Sequence, residues 1–256
     1  MTVVQPATIS DEVQDDLLRA TYAATHWLSP EDQFVIELQD RLKQLDKVDA
    51  ATASVVRGGL FCLLGDTEQM HYWFDNGERL HAEPWYVNGS RVFSLANLGY
   101  FSDAAALYAK IADVDNPRLK RLWSAGLSTA SFKQMAGVFQ RAADLKLELD
   151  PNAHRVAVEA AIVLERLGLD QSRVLAALDT FGQVQRESRL LWLNRHLSVT
   201  TSLDAEEPGL LIELPIATDA DQAVELTDQA VEKCIDAGLL MPGLSVAFVA
   251  SEPPCQ

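Results

Sequence analysis

The densest group of titratable side chains in the sequence consists of two histidines and two carboxylates. His71, Asp75 and Glu78 follow one another at helical spacing, and His81 comes three residues later. Imidazole and carboxylate groups on one helix face can bind a zinc ion. However, His81 falls about 60° away from the face that the other three share, and the sequence has no HExxH pattern. We therefore expect an ordinary exposed helix face and predict no metal site.

Catalytic residues are harder to find. Asn194 and His196 lie on one face of a predicted strand, but no nucleophile accompanies them there. The sequence contains no GxSxG motif, no Walker loop and no GxGxxG motif. We predict no catalytic residue and no cofactor. An enzyme with an unrecognised site near Asn194 and His196 remains an alternative, and it predicts a small molecule or metal bound to the purified protein.

Charge and composition exclude several classes of partner. The 256 residues carry a net charge of −16, which argues against nucleic acid and against an anionic membrane surface. The three cysteines, Cys62, Cys234 and Cys255, are scattered and form no CxxC pair, so neither a disulfide framework nor a zinc site is indicated. The sequence has no signal peptide and no long apolar run, so we expect a cytoplasmic protein.

A repeated turn indicates how the elements are organised. Leu64-Gly65-Asp66 returns 34 residues later as Leu98-Gly99-Tyr100, and the same offset leads to Phe132-Lys133-Gln134. Leu167-Gly168-Leu169 follows 35 residues further on. A helix-like apolar run precedes and follows each turn. Pro117 and Pro151, which can each open a helix, are also 34 residues apart. A period of about 34 residues with two helices per unit is typical of a helical-repeat solenoid.

The second unit is similar to a known repeat family. The segment from Leu98 to Lys110 has a Leu-Gly turn, followed by Phe101, Ala104 and Tyr108 at the spacing of a tetratricopeptide repeat. The third unit departs from the pattern, since Lys133 replaces the turn glycine and Ala142 replaces the aromatic residue. The chain from about residue 49 to 187 thus resembles a degenerate tetratricopeptide-repeat array. The resemblance implies a mainly α, solenoid fold of helical hairpins.

The resemblance also implies a binding surface, because the first helices of such units line a concave groove. Carried over to this chain, the groove positions are Tyr86, Phe93, Asn97, Lys120, Trp123, Arg155 and Arg166, with Cys62 at the corresponding place in the first unit. Tyrosine, tryptophan and arginine are the residue types that dominate binding hot spots. We expect a protein or peptide partner in this groove, as for an adaptor, a chaperone-like protein or a regulatory subunit.

The hydrophobic period changes near residue 189, which predicts a second unit. We expect a tail at residues 1–9, a helical-repeat domain at 10–188 and a small acidic α/β cap at 189–256. In the cap, alternating residues from Leu191 to Thr200 predict a first strand, and Leu210 to Leu214 predict a second. A helix from Thr218 to about Ala237 and a strand from Leu244 to Ala250 complete a β-β-α-β order.

The predicted helix of the cap carries a row of carboxylates. The acidic face comprises Asp221, Glu225, Asp228 and Glu232, whereas Val224 and Ile235 are predicted to face inward. A solvated surface explains such a face most simply. The alternative function that it suggests is binding or neutralising a basic protein, with a strong dependence on salt.

Overall fold

A computed structural model describes residues 6–112, 119–147, 150–192, 197–204 and 206–251, without the side chains of residues 6–8 and 119–123. The helices are α1 (Pro6–Ala23), α2 (Gln33–Leu45), α3 (Ala50–Leu63), α4 (Thr67–Arg79), α5 (Pro84–Asn97), α6 (Phe101–Ala112), α7 (Leu119–Ser128), α8 (Phe132–Asp144), α9 (Pro151–Arg166), α10 (Gln171–Glu187) and α11 (Ala220–Asp236). The strands are β1 (Ser198–Ser202), β2 (Gly209–Ile216) and β3 (Leu244–Ala250). The first helix thus begins at Pro6, within the segment 1–9 that we expected to be a tail.

Carboxylate side chains define where many of these helices begin. Asp66 accepts a hydrogen bond from the amide of Gln69 at 3.0 Å, and Asp49 accepts one from the amide of Thr52 at 3.0 Å. Such a bond satisfies an amide that has no partner within the helix. Asp150, Asp170 and Asp219 cap α9, α10 and α11 in the same way. These caps are local, so the sequence determines them.

The helices from α3 to α8 pack as neighbouring pairs. The pairs α3–α4, α5–α6 and α7–α8 are in contact, and α3, α5, α7 and α9 contact one another in succession. The second helix of a pair also contacts the first helix of the next pair. The mainly α class is confirmed, and these contacts are compatible with a helical-repeat solenoid.

The Leu-Gly turns are helix ends whose glycines adopt the left-handed conformation. The φ angles are +71° for Gly65, +72° for Gly99 and +62° for Gly168. After the first of these turns, the amide of Asp66 donates a hydrogen bond to the carbonyl of Phe61 at 3.0 Å. The turn therefore satisfies a carbonyl that the helix end leaves free.

The third turn lies three residues earlier than predicted. We expected it at Phe132-Lys133-Gln134, but α8 already begins at Phe132. The left-handed residue is Ala130, with φ of +51°, and the amide of Ser131 donates to the carbonyl of Gly126 at 2.9 Å. Lys133 therefore does not replace the turn glycine. The Leu-Gly pattern could not locate this turn, because its left-handed residue is alanine and not glycine.

A glycine at one further left-handed position should stabilise the protein. Lys146 is exposed and has φ of +54° at the end of α8. A side chain in this conformation costs roughly 1–2 kcal/mol, whereas glycine costs about 0.4–1 kcal/mol through the greater freedom of the unfolded chain. We expect Lys146→Gly to raise the free energy of unfolding by about 0.5–1 kcal/mol in a urea titration. An unchanged or lowered value would contradict this account of the turn.

The helix α10 packs mainly on α6 and α11, and its side chains hold the turn between α5 and α6. Gln185 donates to the carbonyl of Asn97 at 2.7 Å, while Arg186 donates to the carbonyls of Leu98 and Gly99 at 2.9 and 2.7 Å. These bonds satisfy carbonyls at the end of α5, and the positive charge suits the negative end of the helix.

The same helix also caps the start of α6. The side chain of Asp179 accepts a hydrogen bond from the amide of Ser102 at 3.0 Å. The guanidinium of Arg186 lies 3.9 Å from the centre of the Tyr100 ring. Residues of α10, about 80 positions further along the chain, therefore supply hydrogen-bond partners to the backbone on both sides of this turn.

The C-terminal unit contains a three-stranded mixed sheet in the order β1-β2-β3. The pair β1–β2 is antiparallel with Val199 opposite Ile212, and β2–β3 is parallel with Ile212 opposite Val246. The predicted β-β-α-β order is confirmed. The predicted start of the first strand at Leu191 was wrong: Leu191 and Trp192 precede β1 and are buried.

Long-range backbone hydrogen bonds tie the two ends of the helical array together. The amide of Leu191 donates to the carbonyl of Thr25 at 3.0 Å, and the amide of Trp27 donates to the carbonyl of Arg189 at 2.9 Å. One large hydrophobic core extends from α3 to β3, and a smaller one joins α1, α2 and α3. The helices and the sheet are therefore packed as one body.

Candidate functional site

The helices α1, α3, α5 and α7 surround a cavity of about 590 Å³. Clefts that bind ligands commonly have volumes of about 300–1,000 Å³. Leu18 and Tyr22 of α1 line the cavity and are 51% and 47% exposed, which places them at its mouth. The cavity is therefore large enough for several side chains and is open to solvent along α1.

The wall that α5 supplies contains three residues predicted for the groove. Tyr86, Phe93 and Asn97 all line the cavity, because spacings of seven and four residues place side chains on one helix face. Ser90 and Ser94 lie between them on the same wall. This wall changes from aromatic at the start of α5 to polar at its end.

The phenol of Tyr86, at the start of α5, stays neutral. Burial raises the pKa of Tyr86, and the negative charge of Asp49 raises it further. Tyr86 therefore keeps its proton at physiological pH and can both donate and accept a hydrogen bond.

The opposite wall is formed by α1, which the sequence did not indicate. A Cβ on Gly59 of α3 would lie 2.6 Å from Leu17, so α1 sits directly on the face of α3. Arg41 of α2 holds α1 through ion pairs with Glu12 and Asp16. An intramolecular helix thus covers part of the surface that was expected to line the concave groove. The apolar side chains of Leu18 and Tyr22, four positions apart on one face of α1, were the signal that the sequence offered.

Asn97 contributes an acceptor that is buried and unpaired. The thiol of Cys62 donates to the carbonyl of Ser94 at 3.5 Å, and the amide nitrogen of Asn97 donates to the Cys62 sulfur at 3.9 Å. Since the one thiol proton is already used, the sulfur acts as the acceptor for the amide nitrogen. Asn97 Oδ1 then has no hydrogen-bond partner among the described residues, and Asn97 is 3% exposed.

The cysteine beside it is unsuited to nucleophilic chemistry. Burial raises the pKa of the Cys62 thiol to about 12, so the thiol is protonated at neutral pH. Reactive cysteines require the thiolate. Cys62 therefore acts here as a small packing residue that orients Asn97.

Two predicted groove residues lie elsewhere, on α9. Arg155 is exposed and pairs with Glu159 at 2.8 Å, and Arg166 donates to the carbonyl of Leu203 at 2.7 Å. Arg166 therefore faces the C-terminal unit, and neither arginine lines the cavity. The side chains of Lys120 and Trp123 lie outside the described residues, although Ser124 of the same helix lines the cavity.

Asn194 and His196, the candidates for an unrecognised catalytic site, also lie outside the described residues. The histidine-containing stretch does not form a ligand set. Asp75 and Glu78 lie 2.6 and 3.8 Å from the guanidinium of Arg91. The described part of the chain contains no group of three or more residues that could hold a metal ion.

The acidic face lies on the outer side of α11. Asp221, Glu225, Asp228 and Glu232 are all exposed. The inward stripe differs from the prediction: Val224 and Ile235 are 61% and 54% exposed, and Leu226 and Ala230 are buried in their place. Two aliphatic side chains therefore stand beside the carboxylates on this surface.

Comparisons with protein-family models, with curated proteins and with solved structures gave no match to this chain. The function must therefore be argued from the site. Within the described residues, none of the helices combines the length and the apolar composition that crossing a bilayer requires.

Proposed function

We propose that this chain is a binding protein that holds a polypeptide segment in the cavity between α1 and the helices α3, α5 and α7. The observation that carries the proposal is the meeting of Tyr86, Phe93 and Asn97 on one wall of this cavity. Aromatic side chains supply apolar contact area, and a buried amide supplies directional hydrogen bonding. An adaptor, a chaperone-like protein and a regulatory subunit all require such a site.

The shape of the cavity supports a polypeptide as ligand. Tyr86 and Asn97 are eleven residues apart on one helix, which corresponds to about 16 Å. An extended peptide advances about 3.3 Å per residue, so roughly five residues span this distance. Ser90 and Ser94 of α5 line the cavity between these two residues, and their hydroxyls can bond peptide groups.

A peptide-display experiment tests the proposal. A library of random peptides displayed on phage is selected against the full chain, and synthetic copies of the selected peptides are titrated by fluorescence anisotropy. We expect Phe93→Ala to weaken their binding at least tenfold, since an aromatic anchor commonly contributes more than about 2 kcal/mol. Tyr72→Ala is the matched control, because Tyr72 is 50% exposed on α4 and does not line the cavity.

The two variants must first show the thermal stability of the parent chain. Peptides that bind the Phe93→Ala variant as well as the parent would contradict the proposal. A library that yields no peptide dependent on Phe93 would also reject it.

A second candidate function is recognition of a basic protein by the outer side of α11. The exposed Val224 and Ile235 beside four carboxylates favour it, because such a surface offers both apolar contact and charge. The same titrations separate the two functions. Peptides bound on α11 would be insensitive to Phe93→Ala and would dissociate as salt is added, since exposed charges are screened.

A further inference from the structure

The geometry points to a basic peptide segment as the occupant of the cavity, with a lysine or arginine near Asp15 and an N–H donor at Asn97. This inference rests on the proposed function and specifies its ligand. It follows from the negative charges at and near the cavity, from an unpaired acceptor of a lining residue and from the apolar part of the lining.

Two carboxylates give the cavity and its surroundings negative charge. Asp15 of α1 lines the cavity and is exposed, and no described residue forms an ion pair with it. Asp49 lies close enough to Tyr86 for its charge to raise the pKa of the phenol. A carboxylate of the ligand would be repelled by these groups, whereas an ammonium or guanidinium group would be attracted.

Asn97 offers an acceptor. Asn97 Oδ1 is buried without a partner among the described residues, so a donor that reaches it would relieve an unsatisfied polar group. A peptide N–H group can donate there, whereas a carboxylate cannot. The negative charges and the unpaired acceptor thus both favour donors over acceptors in the ligand.

The middle of the cavity is suited to an apolar side chain. Phe93 is half-buried there, and Leu18 and Tyr22 stand at the mouth. Aromatic faces also attract the cation of a neighbouring lysine or arginine. None of the described lining residues is lysine, arginine or histidine, and the whole chain carries a net charge of −16. The expected ligand is therefore about five residues long, with a basic and a large apolar side chain.

The test uses peptides selected by phage display that depend on Phe93. For each, the lysine or arginine is replaced by glutamine or by glutamate, and binding to the full chain is titrated at fixed salt. We expect at least a tenfold loss with glutamine and a larger loss with glutamate. For the Asp15→Asn variant, the ratio between the dissociation constants of the glutamine peptide and the lysine peptide should be at least threefold smaller.

Asp11→Asn is the matched control, because it removes the same charge from the same helix outside the cavity lining. A second variant, Asn97→Leu, removes the acceptor. It should weaken binding of the parent peptide about fivefold or more while the thermal stability of the protein is unchanged. If Asn97→Leu lowers the stability, the Asp15 comparison decides the inference on its own.

The possible outcomes separate the inference from the function on which it rests. Peptides that depend on Phe93 but bind equally well with glutamine or glutamate would overturn the basic ligand and leave the proposed function intact. The absence of any Phe93-dependent peptide would reject both. A lysine preference that Asp15→Asn leaves unchanged and that Asp228→Asn with Glu232→Gln removes would place the charge recognition on α11 and overturn the inference.

Discussion

The substitution Gly182→Ala is expected to lower the free energy of unfolding by about 3 kcal/mol or more. A Cβ on Gly182 would lie 1.9 Å from the carbonyl oxygen of Gly99 and 2.7 Å from its Cα. These are backbone atoms, so no side-chain rotation can relieve the contact. The better helix propensity of alanine recovers only about 1 kcal/mol. The clash therefore dominates.

The contact matters because it lies where α10 holds the turn between α5 and α6. Moving α10 outward would also lengthen the hydrogen bonds that Gln185 and Arg186 donate to this turn. Urea unfolding monitored by far-ultraviolet circular dichroism measures the effect.

A matched control is available within the same array. Gly137 lies in α8, is exposed, and a Cβ there would meet nothing within 4 Å. Gly137→Ala should therefore stabilise the chain by about 0.5–1 kcal/mol. If Gly182→Ala changes the free energy of unfolding in the same way as Gly137→Ala, then α10 does not approach the α5–α6 turn as closely as the structure shows.

Replacing Trp192 with alanine should cost about 3–5 kcal/mol. The indole is 2% exposed, and its ring packs at an angle against Phe101, with the ring centres 6.0 Å apart. The backbone of Trp192 donates to the carbonyl of Asn97 and bridges to Ile216 of β2. This residue therefore connects the helical array to the sheet, and a cavity here would loosen both.

Trp192→Phe serves as the comparison. The indole nitrogen has no hydrogen-bond partner among the described residues, so losing it removes no bond that the structure shows. We expect a cost of roughly 1–2 kcal/mol for phenylalanine, well below that for alanine. Calorimetry should show the helices and the sheet unfolding in one transition for the parent chain. Two separate transitions would contradict the shared core.

The candidate site depends on the same long-range contacts. The end of α5 that carries Asn97 is fixed by α10 and by Trp192, through bonds to the Asn97 carbonyl. Variants at Gly182 or Trp192 that remain folded should therefore also weaken peptide binding. Only variants with unchanged stability, such as those designed at Phe93 and Asp15, can report on recognition itself.

Local sequence patterns were sufficient for most of the elements. The helical periods, the capping aspartates such as Asp49 and Asp66, and the left-handed glycines at Gly65 and Gly99 involve residues close together in the chain. The same holds for the β-β-α-β order of the C-terminal unit. The spacing of Tyr86, Phe93 and Asn97 also defined one face of α5, because helix geometry alone sets it.

Errors arose where a local signal was absent or ambiguous. The third turn was predicted three residues too late, because Ala130 stands where the other turns have glycine. The inward face of α11 was rotated because Val224 and Ile235 are as apolar as the residues that are buried. Composition cannot decide between two adjacent apolar stripes. The surface against which the helix packs determines which of the two stripes is buried.

The sequence by itself determined the helices, most of their ends and the side chains that α5 presents. Only the tertiary structure decided that α1 covers the face of α3, that α10 caps an α6 amide with Asp179, and that Leu191 pairs with Thr25. These contacts join residues 42 to 166 positions apart. They leave no periodic trace in the sequence, because they depend on how completed helices pack. Together they give the expected concave groove a second wall and make it a cavity.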